Sequence, residues 1–365
     1  MMNLEALQKR VQDIDPVQYG RSRNYSNGAV TELGPYIARG VIDTAWVADT
    51  LRESGWSFFQ AQPFLQQLAW RDFFQRVWQS KGEGINQDIR QAQEAVLHHQ
   101  VPEAMLHSTT GIGAIDQALD RLNDTGLMHN HLRMYTAFLN CHQARAHWFL
   151  PAQWMYAHLL DGDWGSNALS WQWVAGTFSN KRYCANQANI NRFTGSGQRG
   201  TYLDVDYDRL LDQPVPAALQ ASVLWHLETT LPQSESPNIL PDQPTLVYNY
   251  YNLSPLWRQE QAANRILLLE PSVFRQYPVA AKPMAFALEC AAQIPGLQIF
   301  VGEYYELKAL CGASPLIHRE HPLNRHYSGQ EDPRNWLAPE VQGEFSSFFG
   351  FWKKAERAMR RDFQH

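Results

Sequence analysis

The chain is predicted to be mainly helical and built in two parts. An all-helical domain covers residues 1–205, and a smaller α/β domain with a C-terminal helix covers 245–365. A linker with a short helix joins them over 206–244. Three observations carry this reading. Apolar residues recur at helical spacing up to about residue 200, with no strand-like alternation of useful length. Prolines then crowd the text at Pro214, Pro216, Pro232, Pro237, Pro241, Pro244 and Pro255. Strand, helix and strand patterns follow, as in a parallel βαβ unit.

The elements follow in order. In 63–79, Phe64, Leu65, Leu68, Phe74, Val77 and Trp78 alternate with polar residues at helical period, and Pro63 suits the first helical position. In 111–122, Ile115, Ala118, Leu119 and Leu122 form the stripe of an amphipathic helix. Residues 128–150 read as continuous helix up to Pro151. A short helix is expected around 216–229, and 230–244 reads as a long loop. Thr245–Tyr251, Arg265–Glu270 and Leu297–Val301 read as strands. Helices are expected around 283–293 and over 340–361.

Composition narrows the function. The 365 residues are 44% hydrophobic and 18% charged, as in a folded globule. Net charge is −5 overall. Residues 1–200 carry 17 basic and 17 acidic side chains, and the remainder 14 and 19. A globally basic nucleic-acid binder is excluded, so DNA contact would need a local basic face. Arg10, Arg21, Arg23, Lys181, Arg182, Arg192 and Arg199 are candidates for one. Cys141, Cys184, Cys290 and Cys311 lie far apart with no C-x-x-C pair, which argues against zinc or iron–sulfur sites. No signal peptide and no apolar run of transmembrane length is seen, so a soluble cytoplasmic protein without membrane attachment is expected.

Two stretches concentrate chemistry. Residues 161–177 hold Asp161, Asp163, Asn167 and the tryptophans Trp164, Trp171 and Trp173. Residues 125–134 hold His129, Asn130, His131, Arg133 and Met134. Asp161-x-Asp163-x-Gly165 hints at a calcium loop, but Gln172 stands where the twelfth-position Glu belongs. His129 and His131 are two residues apart, about 200° around a helix, which defeats shared metal ligation. Gly111-Ile-Gly113 lacks the preceding strand that a dinucleotide loop needs. No metal site is expected.

Together with two earlier motifs, these stretches resemble the photolyase/cryptochrome family over about residues 15–200. The motifs keep the family's order and spacing. The resemblance implies a photolyase-type helical FAD-binding domain, here without the usual N-terminal antenna domain. It assigns Tyr19 and the turn Thr31, Glu32, Leu33 and Gly34 to the FAD phosphates, although Glu32 and Gly34 replace serines. Backbone N–H groups can still bind phosphate there, and Glu32 should point away from it. It assigns Arg71 to the phosphates, and Asn130 to the helix that touches the flavin. Arg133 and Asp161 become a pair against the isoalloxazine ring. Asp163 bonds the flavin's N3–C4 edge or its ribityl region, and Asn167 faces flavin N5. Trp171 and Trp148, 23 residues apart, match the electron-transfer tryptophans. The family's third tryptophan falls in 90–106, which has none here; Trp154, Trp164 or a tyrosine stay open as substitutes.

The same resemblance places Trp70, His131, Met134 and Trp173 against the DNA lesion. Two departures bear on activity. Gln67 replaces a Glu that hydrogen-bonds the damaged base, and Gln cannot carry charge or give up a proton. His131 replaces an Arg that contacts DNA. Asn130 and Met134 keep the types found in cyclobutane-dimer photolyases. The implied function is light-driven electron transfer from FAD, extending to repair of cyclobutane pyrimidine dimers by a deoxyribodipyrimidine photo-lyase. The alternative is a cryptochrome-like blue-light receptor or redox flavoprotein without repair. Damaged DNA is the implied partner, single strands favoured; the sequence names no protein partner.

Overall fold

The computed structural model describes residues 2–179 and 181–363. Its first half is helical, with α1 (Leu4–Gln12), α2 (Pro16–Ser22), α3 (Gly34–Ala38), α4 (Thr44–Glu53) and α5 (Phe58–Lys81). A two-residue strand β1 (Val101–Pro102) precedes α6 (Glu103–Leu106), α7 (Gly113–Thr125), α8 (Asn130–Phe138), α9 (Phe149–His158), α10 (Trp164–Ala175) and α11 (Gln187–Thr194). The second half holds β2 (Ser222–Val223), β3 (Thr245–Tyr248), β4 (Asn264–Leu269), α12 (Pro271–Gln276), α13 (Ala281–Ala291) and β5 (Leu297–Val301). It ends with α14 (Tyr304–Cys311), β6 (Leu316–Arg319), β7 (Gln330–Asp332) and α15 (Phe348–Asp362).

Contacts sort the chain into two compact units. One gathers Met1–Pro16, Thr31–Gly82 and Glu228–His365; the other gathers Val17–Val30 and Glu83–Leu227. The sequence reading cuts the chain at 205 and 245, whereas the contacts join 31–82 to the α/β segment. The physical reason is visible at three places. Leu253 N–H donates to the Arg39 carbonyl at 2.9 Å. The fully buried Arg39 guanidinium lies 3.7 Å over the Tyr250 ring. Gly40 is left-handed (φ +65), and a Cβ there would sit 2.3 Å from the Tyr251 carbonyl oxygen, so only glycine lets the strands' loop approach this closely.

In this first unit a five-stranded, all-parallel sheet runs in the order β5-β4-β3-β6-β7. Helices cover both faces of such a sheet, so its inner strands read as unbroken apolar runs rather than alternations. Thr245–Tyr248 and all of β4 but Arg265 are buried. The chain order reverses between β3 and β6, which makes their carboxyl ends a topological switch point. Helix α15 packs on α5, and the Trp70 ring stacks on Phe348 with centroids 3.6 Å apart.

The second unit packs α8, α9 and α10 around a core of Phe138, Trp148, Trp164 and Leu169. The stripe expected on α7 is buried as read: Ile115, Ala118, Leu119 and Leu122.

Four local expectations change, the first being the helix expected over 340–361, which runs Phe348–Asp362 because Ser347 caps it. Helix α5 starts at Phe58, not Pro63, because Ser57 and Gln60 form a capping box. Pro63 therefore lies inside the helix, on an exposed face, where its missing N–H removes one intrahelical hydrogen bond. The run 128–150 is broken by a π-helical turn at Leu139–Gln143, and Pro151 falls in the first turn of α9, where proline is tolerated. The short helix around 216–229 shrinks to one 3-10 turn, Ala217–Leu219, before β2 pairs antiparallel with β1. No helix among the described residues is long and apolar enough to cross a membrane.

Candidate functional site in the helical unit

Helix α7 ends at left-handed Gly126, where a Cβ would meet Leu160 at 2.7 Å. The chain turns through Met128, and His129 caps α8 by accepting the His131 N–H at its Nδ1. One turn into α8, Arg133 donates Nε to the Met128 carbonyl at 2.9 Å. Its Nη2 lies 2.9 Å from both oxygens of Asp161. Two residues on, buried Asp163 caps α10 by accepting the Ser166 N–H at 2.8 Å. Asn167 then donates Nδ2 to the Ala152 carbonyl at 2.8 Å. Arg133 thus ties α8 to the α9–α10 turn, and Asn167 ties α10 to α9.

This arrangement leaves usable groups. The Asn167 carboxamide oxygen accepts no hydrogen bond from a described residue. The Ser166 hydroxyl is buried without a partner. Both sit in the first turn of α10, which follows Asp161 of a guanidinium–carboxylate pair about one-fifth exposed. A flat heteroaromatic ring with alternating donors and acceptors matches that donor set.

Tryptophans line the interior. Trp148 and Trp164 are fully buried, Trp171 and Trp154 nearly so. Trp148 donates Nε1–H to Asp88 at 2.7 Å, and Trp164 donates to Asn86 at 2.7 Å. Phe149 bridges them, 5.5 Å from Trp148 and 5.7 Å from Trp164, and Tyr156 lies 5.5 Å beyond. The sequence reading missed Asn86, Asp88 and Gln93. They belong to a stretch without periodicity, and no local signal marks them.

The residues expected at DNA sit as follows. Asn130 is exposed and Met134 half-buried. Trp173 is 36% exposed, its ring 5.6 Å from Tyr183. His131 is tied inward: its Nδ1 lies 2.8 Å from the Asn24 carbonyl, and its ring packs on Tyr135 and Phe193 at 4.8 and 4.6 Å. Burial lowers its pKa, so it is neutral near pH 7. Burial likewise pushes His129 down to about 4. Tyr19 is half-buried on α2, and burial raises its phenol.

The remaining expected residues lie in the first unit. Arg10 donates Nε to the Thr31 carbonyl at 2.6 Å and Nη2 to Glu32 at 3.0 Å. The Glu32 carboxylate is therefore neutralised by Arg10, and its backbone is left-handed (φ 51). Leu33 is buried, leaving only its backbone for a ligand, and Gly34 opens α3. Arg71 donates Nη2 to the Ile37 carbonyl at 3.3 Å. Gln67 is half-buried, with no hydrogen bond to another described residue through its carboxamide. Trp70 has one face covered by Phe348, a contact invisible to sequence spacing. The same unit holds a cavity of about 1010 Å³ at the switch point. Its charges balance: Arg76, Arg258, Arg319 and Arg334 against Asp43, Asp49, Glu320 and Glu344.

Comparison with known proteins bears on most of the helical unit. Residues 64–203 match the family described as FAD binding domain of DNA photolyase. The chain is 31% identical over 155 residues to a deoxyribodipyrimidine photo-lyase of Streptomyces griseus, covering 42% of this chain and 34% of that protein. It is 29% identical over 182 residues to one of Vibrio cholerae, covering 46% and 37%. The chain thus spans little more than a third of these relatives. A cryptochrome structure from Synechocystis sp. PCC6803 aligns with TM-score 0.47 at 22% identity, over 53% of this chain and 44% of that one. Residues 64–203 thus resemble the FAD-binding domain of DNA photolyase. FAD is the cofactor of that domain.

Proposed function

We propose that the chain holds FAD and uses it for light-driven electron transfer, with Arg133, Asp161, Asp163 and Asn167 placing the ring and Trp171 and Trp148 supplying electrons. The observation that carries this is the Arg133–Asp161 pair, followed six residues on in the chain by the open acceptor of Asn167. A guanidinium locked by a carboxylate is a fixed positive edge that needs no reorganisation when charge develops on a neighbouring ring. FAD supplies the light absorption and the electron chemistry; the protein positions it. The turn at Thr31–Gly34 and Arg71 keep chemistry suited to phosphate. We place the protein in the cytoplasm.

Repair of cyclobutane dimers in DNA, single-stranded substrate favoured, is the further reading for the exposed Trp173. A receptor or redox role without repair is favoured by His131, which is neutral and hydrogen-bonded inward, and by uncharged Gln67. Two measurements decide. Purified protein should keep flavin's visible bands through gel filtration and bleach under blue light with an external reductant. A colourless protein that FAD cannot reconstitute would overturn the electron-transfer reading. Restoration of dimer-containing oligonucleotides under blue light separates lyase from receptor.

A further inference from the structure

Two fully buried tryptophans in the helical unit are wired alike and differently terminated. Trp148 and Trp164 each donate an indole N–H at 2.7 Å to the short stretch 86–88. Trp164 meets Asn86, whose carboxamide accepts a hydrogen bond but takes no proton near neutral pH. Trp148 meets Asp88, a carboxylate. Asp88 is itself held: its Oδ2 accepts the Gln93 N–H at 2.8 Å, and His147 Nε2 lies 3.3 Å from Oδ1. Gln93 also accepts the Trp148 backbone N–H at 2.9 Å and donates to the Ala146 carbonyl. The carboxylate oxygen is thus fixed on the indole nitrogen by a closed set of hydrogen bonds. His147 Nδ1 accepts the Phe149 N–H, which leaves Nε2–H to donate to Asp88. No tryptophan or tyrosine occurs in 87–106.

We propose that Asp88 is the proton acceptor for oxidised Trp148, making Trp148 the end station of the electron path. This rests on the electron-transfer reading above. Trp148 gives one electron toward oxidised Trp171, whose own electron has gone to photoexcited oxidised flavin. The Nε1–H bond of Trp148 then breaks, and its proton passes to Asp88 Oδ1. One electron and one proton leave the indole, and a neutral tryptophanyl radical remains. A neutral radical beside a neutral carboxylic acid cannot recapture its electron without also recapturing the proton, so the separated charge persists. Trp164, bonded to Asn86, lacks this trap.

The test begins with a readout that needs no flavin chemistry. The indole ¹H–¹⁵N resonance of Trp148, identified by its loss in Trp148→Phe, should lie downfield and move upfield in Asp88→Asn. Flash photolysis of the FAD-loaded protein should then show a neutral tryptophanyl radical in wild type. In Asp88→Asn the radical should remain a cation and decay about tenfold or more faster, at unchanged flavin content. In the double variant Asp88→Asn with Asn86→Asp, paramagnetic resonance should place the neutral radical on Trp164. A neutral radical of unchanged rate and lifetime in Asp88→Asn overturns the assignment. A wild type that binds FAD and forms no tryptophanyl radical overturns the electron-transfer reading itself, while the resonance shift would still stand.

Discussion

Arg133 on α8 holds Asp161 through a single nitrogen, Nη2, equidistant at 2.9 Å from the two carboxylate oxygens. The remaining Nε is spent on the Met128 carbonyl. Nη1 makes no hydrogen bond to a described residue. Asp161→Ala leaves the guanidinium unpaired. Breaking a buried pair costs about 3–5 kcal/mol; with each partner about one-fifth exposed to screening solvent, about 2–3 kcal/mol is expected. Calorimetry should show a lower melting temperature, and gel filtration should show flavin lost from the variant. Wild-type values of both would place the pair outside the cofactor site.

A second ion pair sets an acid limit on the α/β segment. Arg258 grips Asp332 with Nε at 2.6 Å and Nη2 at 2.8 Å, and Trp257 Nε1 adds a third bond. The Arg258 bonds, then that of Trp257, hold the Asp332 carboxyl down at about 2 against a usual 3.8. The depressed pKa stabilises the fold above pH 4, and that contribution disappears as pH falls from 4 through 2. The linkage amounts to about 2 kcal/mol. Urea unfolding from pH 6 to pH 2 should show wild type losing stability steeply across this window. Asp332→Asn should be less stable at pH 6 and should lack that slope.

How much of this could be read from sequence depends on how local its cause is. The stripe on α7 and strand β5 were legible because one element's own periodicity or composition fixes them. The Arg133–Asp161 pairing was implied by the resemblance to the photolyase/cryptochrome family and not by either stretch alone. The union of 31–82 with the sheet was not legible, because it rests on Gly40 meeting the Tyr251 carbonyl some 200 residues away. Asp88 escaped for the same reason. A lone acid between Gln87 and Ile89 has no pattern, and only the fold brings it to the Trp148 indole. Phe348 on Trp70 is a third such case.

Trp171 is nearly fully buried on α10, four residues after Asn167 and so one helical turn further on. Phenylalanine keeps most of its volume and is much harder to oxidise. Trp171→Phe should retain FAD, since it removes no group that bonds the ring. Its photoreduction should slow about tenfold or more, equivalent to at least ~1.4 kcal/mol on the electron-transfer barrier. Steady blue-light bleaching with an external reductant measures this directly. If Trp171→Phe and Trp148→Phe both bleach at the wild-type rate, electrons reach the flavin by another route.

DNA contact should be weak in the wild type, and the structure says which change is costly. Gln67→Glu adds a charge at a half-buried carboxamide that makes no hydrogen bond to another described residue, so folding should tolerate it. His131→Arg is different. It removes the bond to the Asn24 carbonyl and the packing on Tyr135 and Phe193, which should cost about 1 kcal/mol of stability. In return it offers a permanent cation, where burial keeps His131 neutral. A charge-assisted hydrogen bond is worth about 1.5–3 kcal/mol, so the His131→Arg variant should bind dimer-containing single strands about tenfold tighter or more. A new phosphate contact should also steepen the salt dependence of binding by about 0.7 in log–log slope on single strands. Fluorescence anisotropy against salt concentration measures both. Tighter binding without a steeper slope would mean that the new arginine acts on the protein's own packing rather than on phosphate. Efficient duplex repair by the wild type, unimproved by either substitution, would show that Gln67 and His131 are no obstacle to lyase activity.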